Sequence, residues 1–176
     1  IEDWISGVYL NPATSDWLFE GNTIRGNVAG IGMDTPTDVT IRHNVFTDNT
    51  EGVGANDPTS VVVRYNTFSG NTTGVGHYAT GGIDARYNYW GASDGPSGGV
   101  TDPVTSALAD GSGDAIVSAS DQVRFAPFVS DNLEIAAGTY LAATGDDVVV
   151  LITAEDDLTG KGVISYQFDL TYDPDV

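Results

Sequence analysis

The sequence predicts an all-β solenoid, and three observations carry that prediction. A 22-residue unit is written four times between Trp17 and Pro96, its apolar residues alternate at period two with no helical spacing, and Asn and Gly recur wherever a strand has to bend. The units read WLFEGNTIRGNVAGIG, VTIRHNVFTDNTEGVG, VVVRYNTFSGNTTGVG and IDARYNYWGASDGPSG. Phe19, Ile41, Val63 and Ala85 share one column, and Ile24, Phe46, Phe68 and Trp90 share another. Both columns are expected to stack in the interior.

Within each unit, residues such as Val39, Ile41 and Phe46 alternate with polar neighbours and predict short strands with one buried face, interrupted by turns at Asn44 and Asn49. Asn is expected at these turns because it tolerates the left-handed backbone region and its side chain can satisfy exposed backbone groups. Asparagines of successive coils would then stand about 4.8 Å apart and bond along the stack. This predicts one ladder of Asn22, Asn44, Asn66 and Asn88 and a second of Asn27, Asn49 and Asn71 that continues in Ser93. Gly30, Gly52 and Gly74 are followed in their column by Pro96, and Gly52 and Gly54 are expected to turn the third strand into a variable loop, Asn56 to Ser60.

The N-x-φ-x-x-N rhythm of Trp17 to Pro96 resembles the right-handed parallel β-helix repeats of pectate-lyase-like and related surface proteins. The resemblance implies a right-handed parallel β-helix with 22-residue coils over residues 1–96. That family includes lyases, hydrolases, epimerases, adhesins and spacers, so the fold does not choose a function.

Bulk composition narrows the classes. The chain has 176 residues, 25 acidic against 6 basic, no cysteine and a formal charge of -19. Disulfides and thiolate metal sites are excluded, nucleic-acid binding is disfavoured because phosphate recognition needs Lys and Arg, and cations are favoured as partners. The excess acid suits an extracellular or cell-surface setting and also reads simply as a solvated face. No charged-then-apolar signal segment is present, and no apolar run reaches the roughly 18 residues of a membrane span.

Ile5 to Leu10 reads as the third strand of a coil whose earlier part would precede Ile1, aligned on Ala29-Gly30-Ile31 with one extra residue of spacing. Beyond the repeats, Trp90 is expected to plug the last apolar layer, and residues 97–129 are read as a C-terminal cap, with Val104 to Ala109 as one helical turn or an irregular loop and short strands at Ala115 to Ser118 and Gln122 to Phe128. The final block, residues 130–176, changes style. Its GDDVVV start, its acidic turn and the run GVISYQFDLTYDP resemble the opening of a cohesin-like β-sandwich, with Ile164, Tyr166, Phe168 and Leu170 on one apolar face. That resemblance covers only the first part of such a domain, and a dockerin-like protein partner is expected only for a longer, uncut chain.

The candidate ligand-binding residues are Arg42, Arg64 and Arg86, a column headed by Glu20. It reads as a solvated outer face with one Glu20–Arg42 ion pair or, alternatively, as a stripe for anionic glycans. His43, Tyr65 and Tyr87 form a neighbouring aromatic column, which could face sugars or pack beside the Asn turn. His43 and His77 fall in different columns, which argues against a shared metal. Asp146-Asp147 and Glu155-Asp156-Asp157 offer oxygens to calcium but lack a D-x-D-x-D-G loop, so no cofactor is required and calcium is the one ion to consider. The sequon Asn71-Thr72-Thr73 begins in a ladder residue, so its match to an acceptor motif carries little.

β-Helix lyases pair a Lys or Arg base with calcium-binding carboxylates, and the related hydrolases cluster Asp residues on neighbouring coils. Here the lysine, Lys161, lies outside the repeats, and Thr40, Val62 and Asp84 supply a single acid beside the arginines. The expectation is therefore a non-catalytic extracellular or cell-surface scaffold or adhesion module associated with polysaccharide or cell-surface glycan. The alternative is the C-terminal part of a β-helix lyase or hydrolase whose active coils precede residue 1.

Overall fold

The computed structural model describes residues 5–11 and 15–130 together with the two short strands Ile135–Ala137 and Ile152–Ala154. Strand β1 (Ser6–Leu10) is followed by coils of three strands each: β2 (Ser15–Glu20), β3 (Thr23–Arg25) and β4 (Ala29–Asp34); then β5 (Thr37–Arg42), β6 (Val45–Thr47) and β7 (Glu51–Asn56); then β8 (Thr59–Arg64), β9 (Thr67–Ser69) and β10 (Thr73–His77). The stack ends with β11 (Ile83–Asp84), β12 (Pro96–Ser97), β13 (Gly113–Ser118) and β14 (Val123–Arg124). Each strand pairs in parallel with its counterpart in the next coil, giving sheets ordered β2-β5-β8-β11-β14, β3-β6-β9 and β1-β4-β7-β10-β13-β12. The result is an all-β solenoid of about five turns with no helix among the described residues.

Register follows the repeat. Trp17 pairs with Val39 and Val39 with Val61, 22 residues apart each time, so side chains of one type stand over one another. Ser6 pairs with Ala29 and Val8 with Ile31, which carries the extra residue expected at the first strand. Phe46, Phe68 and Trp90 are fully buried and stack at centroid separations of 5.0 and 5.1 Å, nearly parallel. Such a continuous aromatic file needs a neighbour with no side chain. A Cβ on Gly52 would stand 2.9 Å from Phe68 Cε1 and 2.7 Å from the Gly74 carbonyl oxygen, and one on Gly74 would meet Trp90 at 3.0 Å.

Three local expectations are corrected. The left-handed residue at each turn is the one before the asparagine: His43, Tyr65 and Tyr87 have φ of 54°, 58° and 60°, and Asp48 has 55°. The asparagines instead act by hydrogen bonding from the following position. Second, Gly52 and Gly54 lie inside β7 and make room for neighbours, while the loop is confined to residues 57–58. Third, the column after Gly74 does not continue in Pro96, nor Asn71 in Ser93: β10 pairs with β13, and Pro96 lies on the far side of β13 against Gly113. The run Gly91 to Gly99 lacks apolar alternation and forms only the two-residue strand β12, whereas Asp114 and Ile116 in β13 supply buried side chains for the stacked coil. Of the two readings of Val104 to Ala109, the irregular loop is the one found, with turns and an antiparallel bridge between Thr101 and Leu108.

The segment read as a cap thus contributes β13 and β14 to the stacked sheets. It is tied down by Asp102, buried, whose Oδ1 accepts from Val104 and Thr105 N–H and whose Oδ2 accepts from Phe125 and Ala126 N–H. Burial alone would raise this carboxyl, but the four backbone donors prevail and hold it at about 2.

Leu133–Val176 forms a separate compact unit, in which β15 (Ile135–Ala137) and β16 (Ile152–Ala154) pair antiparallel. The cohesin-like strand ending in Tyr172-Asp173-Pro174, the acidic pairs considered for calcium and Lys161 lie outside the described residues.

Candidate functional site

The arginine column sits on the outward face of the β2-β5-β8-β11-β14 sheet. Alternation along β5 and β8 turns Val39, Ile41, Val61 and Val63 inward, which leaves Arg42 and Arg64 at the strand ends facing outward, in register with each other and with Glu20. Arg42 makes a two-point contact with Glu20, Nε to Oε1 at 3.0 Å and Nη2 to Oε2 at 3.2 Å. Arg86 grips Asp84 through Nε and Nη2, both at 2.9 Å, and Arg64 reaches the same carboxylate from the preceding coil. Burial would raise the Asp84 carboxyl, but the bonds from Arg86 and Arg64 outweigh it and hold the group well below the usual carboxylate range. Asp84 therefore remains an anion and a poor proton acceptor.

Beside the arginines runs the aromatic column. Because His43, Tyr65 and Tyr87 occupy the left-handed corner positions, their rings project from the same place on three coils and stack at 5.6 and 5.5 Å. The guanidinium carbons of Arg64 and Arg86 lie 5.8 and 5.7 Å from the Tyr87 ring centroid, within cation–π range. Tyr65 remains exposed. The sheet face then continues into an open groove of about 380 Å³ between Val62, Ile83, Asp84 and Arg124 on one side and Pro103 and Val104 on the other.

The predicted ladder residues come together along the corners, all of them buried except Asn22, which is exposed at the first coil. In the first ladder, the Nδ2 of Asn22, Asn44 and Asn66 donates to Oδ1 of the next asparagine at 3.0–3.1 Å, and the backbone N–H of each donates to the same oxygen. Asn88 closes it by donating to the Val63 and Ala85 carbonyls. In the second ladder, Asn27 bonds Asn49 and Asn49 bonds Asn71, after which Asn71 donates from both backbone and side chain to Oδ2 of Asp114. That carboxylate sits 43 positions onward, not at the repeat spacing, which is why the periodicity does not reveal it. Burial raises the Asp114 carboxyl above its ordinary range against the opposing bonds from Asn71.

Two further groups escape the repeat pattern. His77 is buried, its Nδ1 within 3.2 Å of Ser118 Oγ and its Nε2 3.1 Å from the Thr80 carbonyl. Glu51 on β7 accepts a hydrogen bond from the Tyr78 hydroxyl, and burial pushes its carboxyl up. Gly32, Gly54 and Gly76, at consecutive repeats, were the signal available for the latter in the sequence. Among the described residues, no group of three or more His, Cys, Asp or Glu side chains is placed to hold a metal, and no helix is long and apolar enough to cross a membrane.

No curated protein and no solved structure matches the chain. A family model described as a right handed beta helix region matches residues 1–89, in line with the parallel coils, the repeat register and the two asparagine ladders. The chain belongs to the right-handed β-helix family.

Proposed function

We propose that this chain is a non-catalytic extracellular or cell-surface scaffold of the pectate-lyase-like kind, whose arginine and aromatic corner makes weak contacts with acidic polysaccharide. The observation that carries the reading is the commitment of charge on that face: Glu20 is held by Arg42, and Asp84 is held by both Arg64 and Arg86. A carboxylate locked between two guanidinium groups is a poor general base, so the face suits recognition better than proton transfer. Within the column three arginines face two acids, and Arg124 pairs in register with Asp84 on the next strand, a surplus of positive charge near the exposed ring of Tyr65 that fits a carboxylate-bearing sugar. The likeness of residues 130–176 to a cohesin-like opening supports a place in polysaccharide-handling surface assemblies, with a dockerin-like protein as the partner of that part.

The test is a titration with uronate oligosaccharides alongside an assay for new reducing ends and unsaturated products. The expected result is weak, salt-sensitive binding that Arg64→Ala and Tyr65→Ala reduce, with no product formed. Cleavage abolished by Arg64→Ala would overturn the proposal.

A further inference from the structure

The outward face of the other large sheet carries a second, differently charged surface. Its register aligns Tyr9 with Gly32, Gly32 with Gly54 and Gly54 with Gly76, so three successive coils present glycine where an outward side chain belongs. Three side chains lie over this bare strip. The Tyr9 ring covers Gly32, with Cδ2 3.2 Å from where a methyl would be; the Glu51 carboxylate covers Gly54 and Gly76, where a methyl would collide with it; and the Tyr78 hydroxyl reaches Gly76 and donates to Glu51. Tyr9 and Tyr78 are nonetheless 59% and 51% exposed, although large apolar surfaces are usually covered in such a fold. The result is a flat strip with an exposed aromatic ring at each end and a carboxylate between them, spanning three inter-strand steps, or about 14 Å.

We propose that this strip binds a linear glycan bearing free amino groups, laid along the solenoid axis across Tyr9, Glu51 and Tyr78. Each element of the strip has a counterpart in that ligand. Sugar rings present flat faces to the two tyrosines, an ammonium is drawn both to an aromatic face and to Glu51, and the coil repeat of about 4.8 Å is close to the length of one pyranose along an extended chain. Charge selects among glycans. Asp34 lies on the same outward alternation at the end of β4, and Glu51 occupies the centre of the strip, so an anionic chain is repelled where a cationic one is attracted. The inference takes polysaccharide association from the preceding reading but uses a separate sheet and the opposite charge, so the two stand or fall by different ligands.

The experiment titrates the full chain calorimetrically with a glucosamine oligosaccharide and with its N-acetylated equivalent, at low and at physiological salt. The glucosamine oligomer is expected to bind at both salt concentrations and the N-acetylated one at least about tenfold more weakly. Tyr78→Ala and Glu51→Gln should each weaken binding about tenfold. Gly54→Ala should do the same while deleting no aromatic or charged group, because its methyl displaces the Glu51 carboxylate. Arg64→Ala should leave this binding unchanged, and unfolding midpoints of all variants establish that they are folded. Absence of binding, equal binding of the N-acetylated oligomer, or affinity indifferent to Tyr78→Ala, Glu51→Gln and Gly54→Ala would overturn the proposal, the last by showing general attraction to an acidic protein. Failure of the uronate titration leaves this result untouched, and loss of glucosamine binding in Arg64→Ala would overturn the strip by moving the ligand to the arginine face.

Discussion

Asn66 and Arg64 stand two residues apart, both recur at the 22-residue period, and they behave in opposite ways. The asparagine is 2% exposed and bonds coils on both sides, accepting from Asn44 and donating to Asn88 Oδ1 and to the Ile41 and Arg64 carbonyls. The arginine faces outward and shares one carboxylate with its neighbour in the next coil. Inside, repetition is enforced, because an unmatched polar group between layers has no water to turn to. Outside, the same spacing brings like charges together, and the column is tolerated only because Glu20 and Asp84 interrupt it. A repeated column is therefore evidence of structure when it is buried and only a placement when it is exposed.

That contrast yields graded expectations. The largest effect belongs to the interior file: Phe68→Ala should destabilise by about 3–5 kcal/mol, since it opens a cavity between Phe46 and Trp90, and denaturant unfolding at unchanged m-value would show it. Next comes Gly52→Ala. Its methyl meets a backbone oxygen and the Phe68 ring, so overpacking should cost about 1–3 kcal/mol, again read by denaturant unfolding.

The pH dependence separates two buried carboxyls, Asp114 at the end of the second ladder and Asp102 in the segment beyond the repeats. Asp114 is raised by burial, so the folded state holds its proton to higher pH than the unfolded chain does. Its stabilising effect is full below the ordinary Asp value of about 3.9 and is lost as pH rises through the raised folded value. Asp114→Asn should remove that loss, seen as a flatter midpoint between about pH 4 and neutrality. Asp102 has the opposite sign: held at about 2, it contributes fully above the ordinary Asp range, and its contribution disappears as pH falls towards that value. The smallest effect is expected outside. Arg42→Ala breaks an exposed pair with Glu20 and should change stability by about 1 kcal/mol or less, with the difference shrinking further in high salt.

The legibility of the sequence follows the same division. The strands, the two inward columns and the first ladder can be read directly, because Asn22, Asn44, Asn66 and Asn88 keep one spacing and stack in one place. The second ladder is readable only to Asn71; its last acceptor, Asp114, comes from a strand that skips the Gly- and Pro-rich segment, and a fixed period cannot announce a detour. Turn geometry is misread for a different reason. Asn has both left-handed tolerance and hydrogen-bonding capacity, and the fold uses only the second here, giving the left-handed position to His43, Tyr65 and Tyr87. At the candidate site, the Arg42, Arg64 and Arg86 column and its Glu20 pair are visible in the alignment of the repeats, whereas the double grip on Asp84 depends on side-chain reach between coils. The Tyr9, Glu51 and Tyr78 strip joins residues from three different positions of the repeat, and only the glycine column beneath them is periodic.

The most direct measurement places Asn66→Ala and Arg64→Ala side by side in one denaturant titration. Asn66→Ala strands buried donors and acceptors of two neighbouring coils and should cost at least about 3 kcal/mol. Arg64→Ala leaves Asp84 in its two-point contact with Arg86 and should cost about 1 kcal/mol or less. Equal losses from the two variants, or a larger loss from Arg64→Ala, would contradict the claim that the buried columns hold this solenoid together while the outer columns are free to serve recognition.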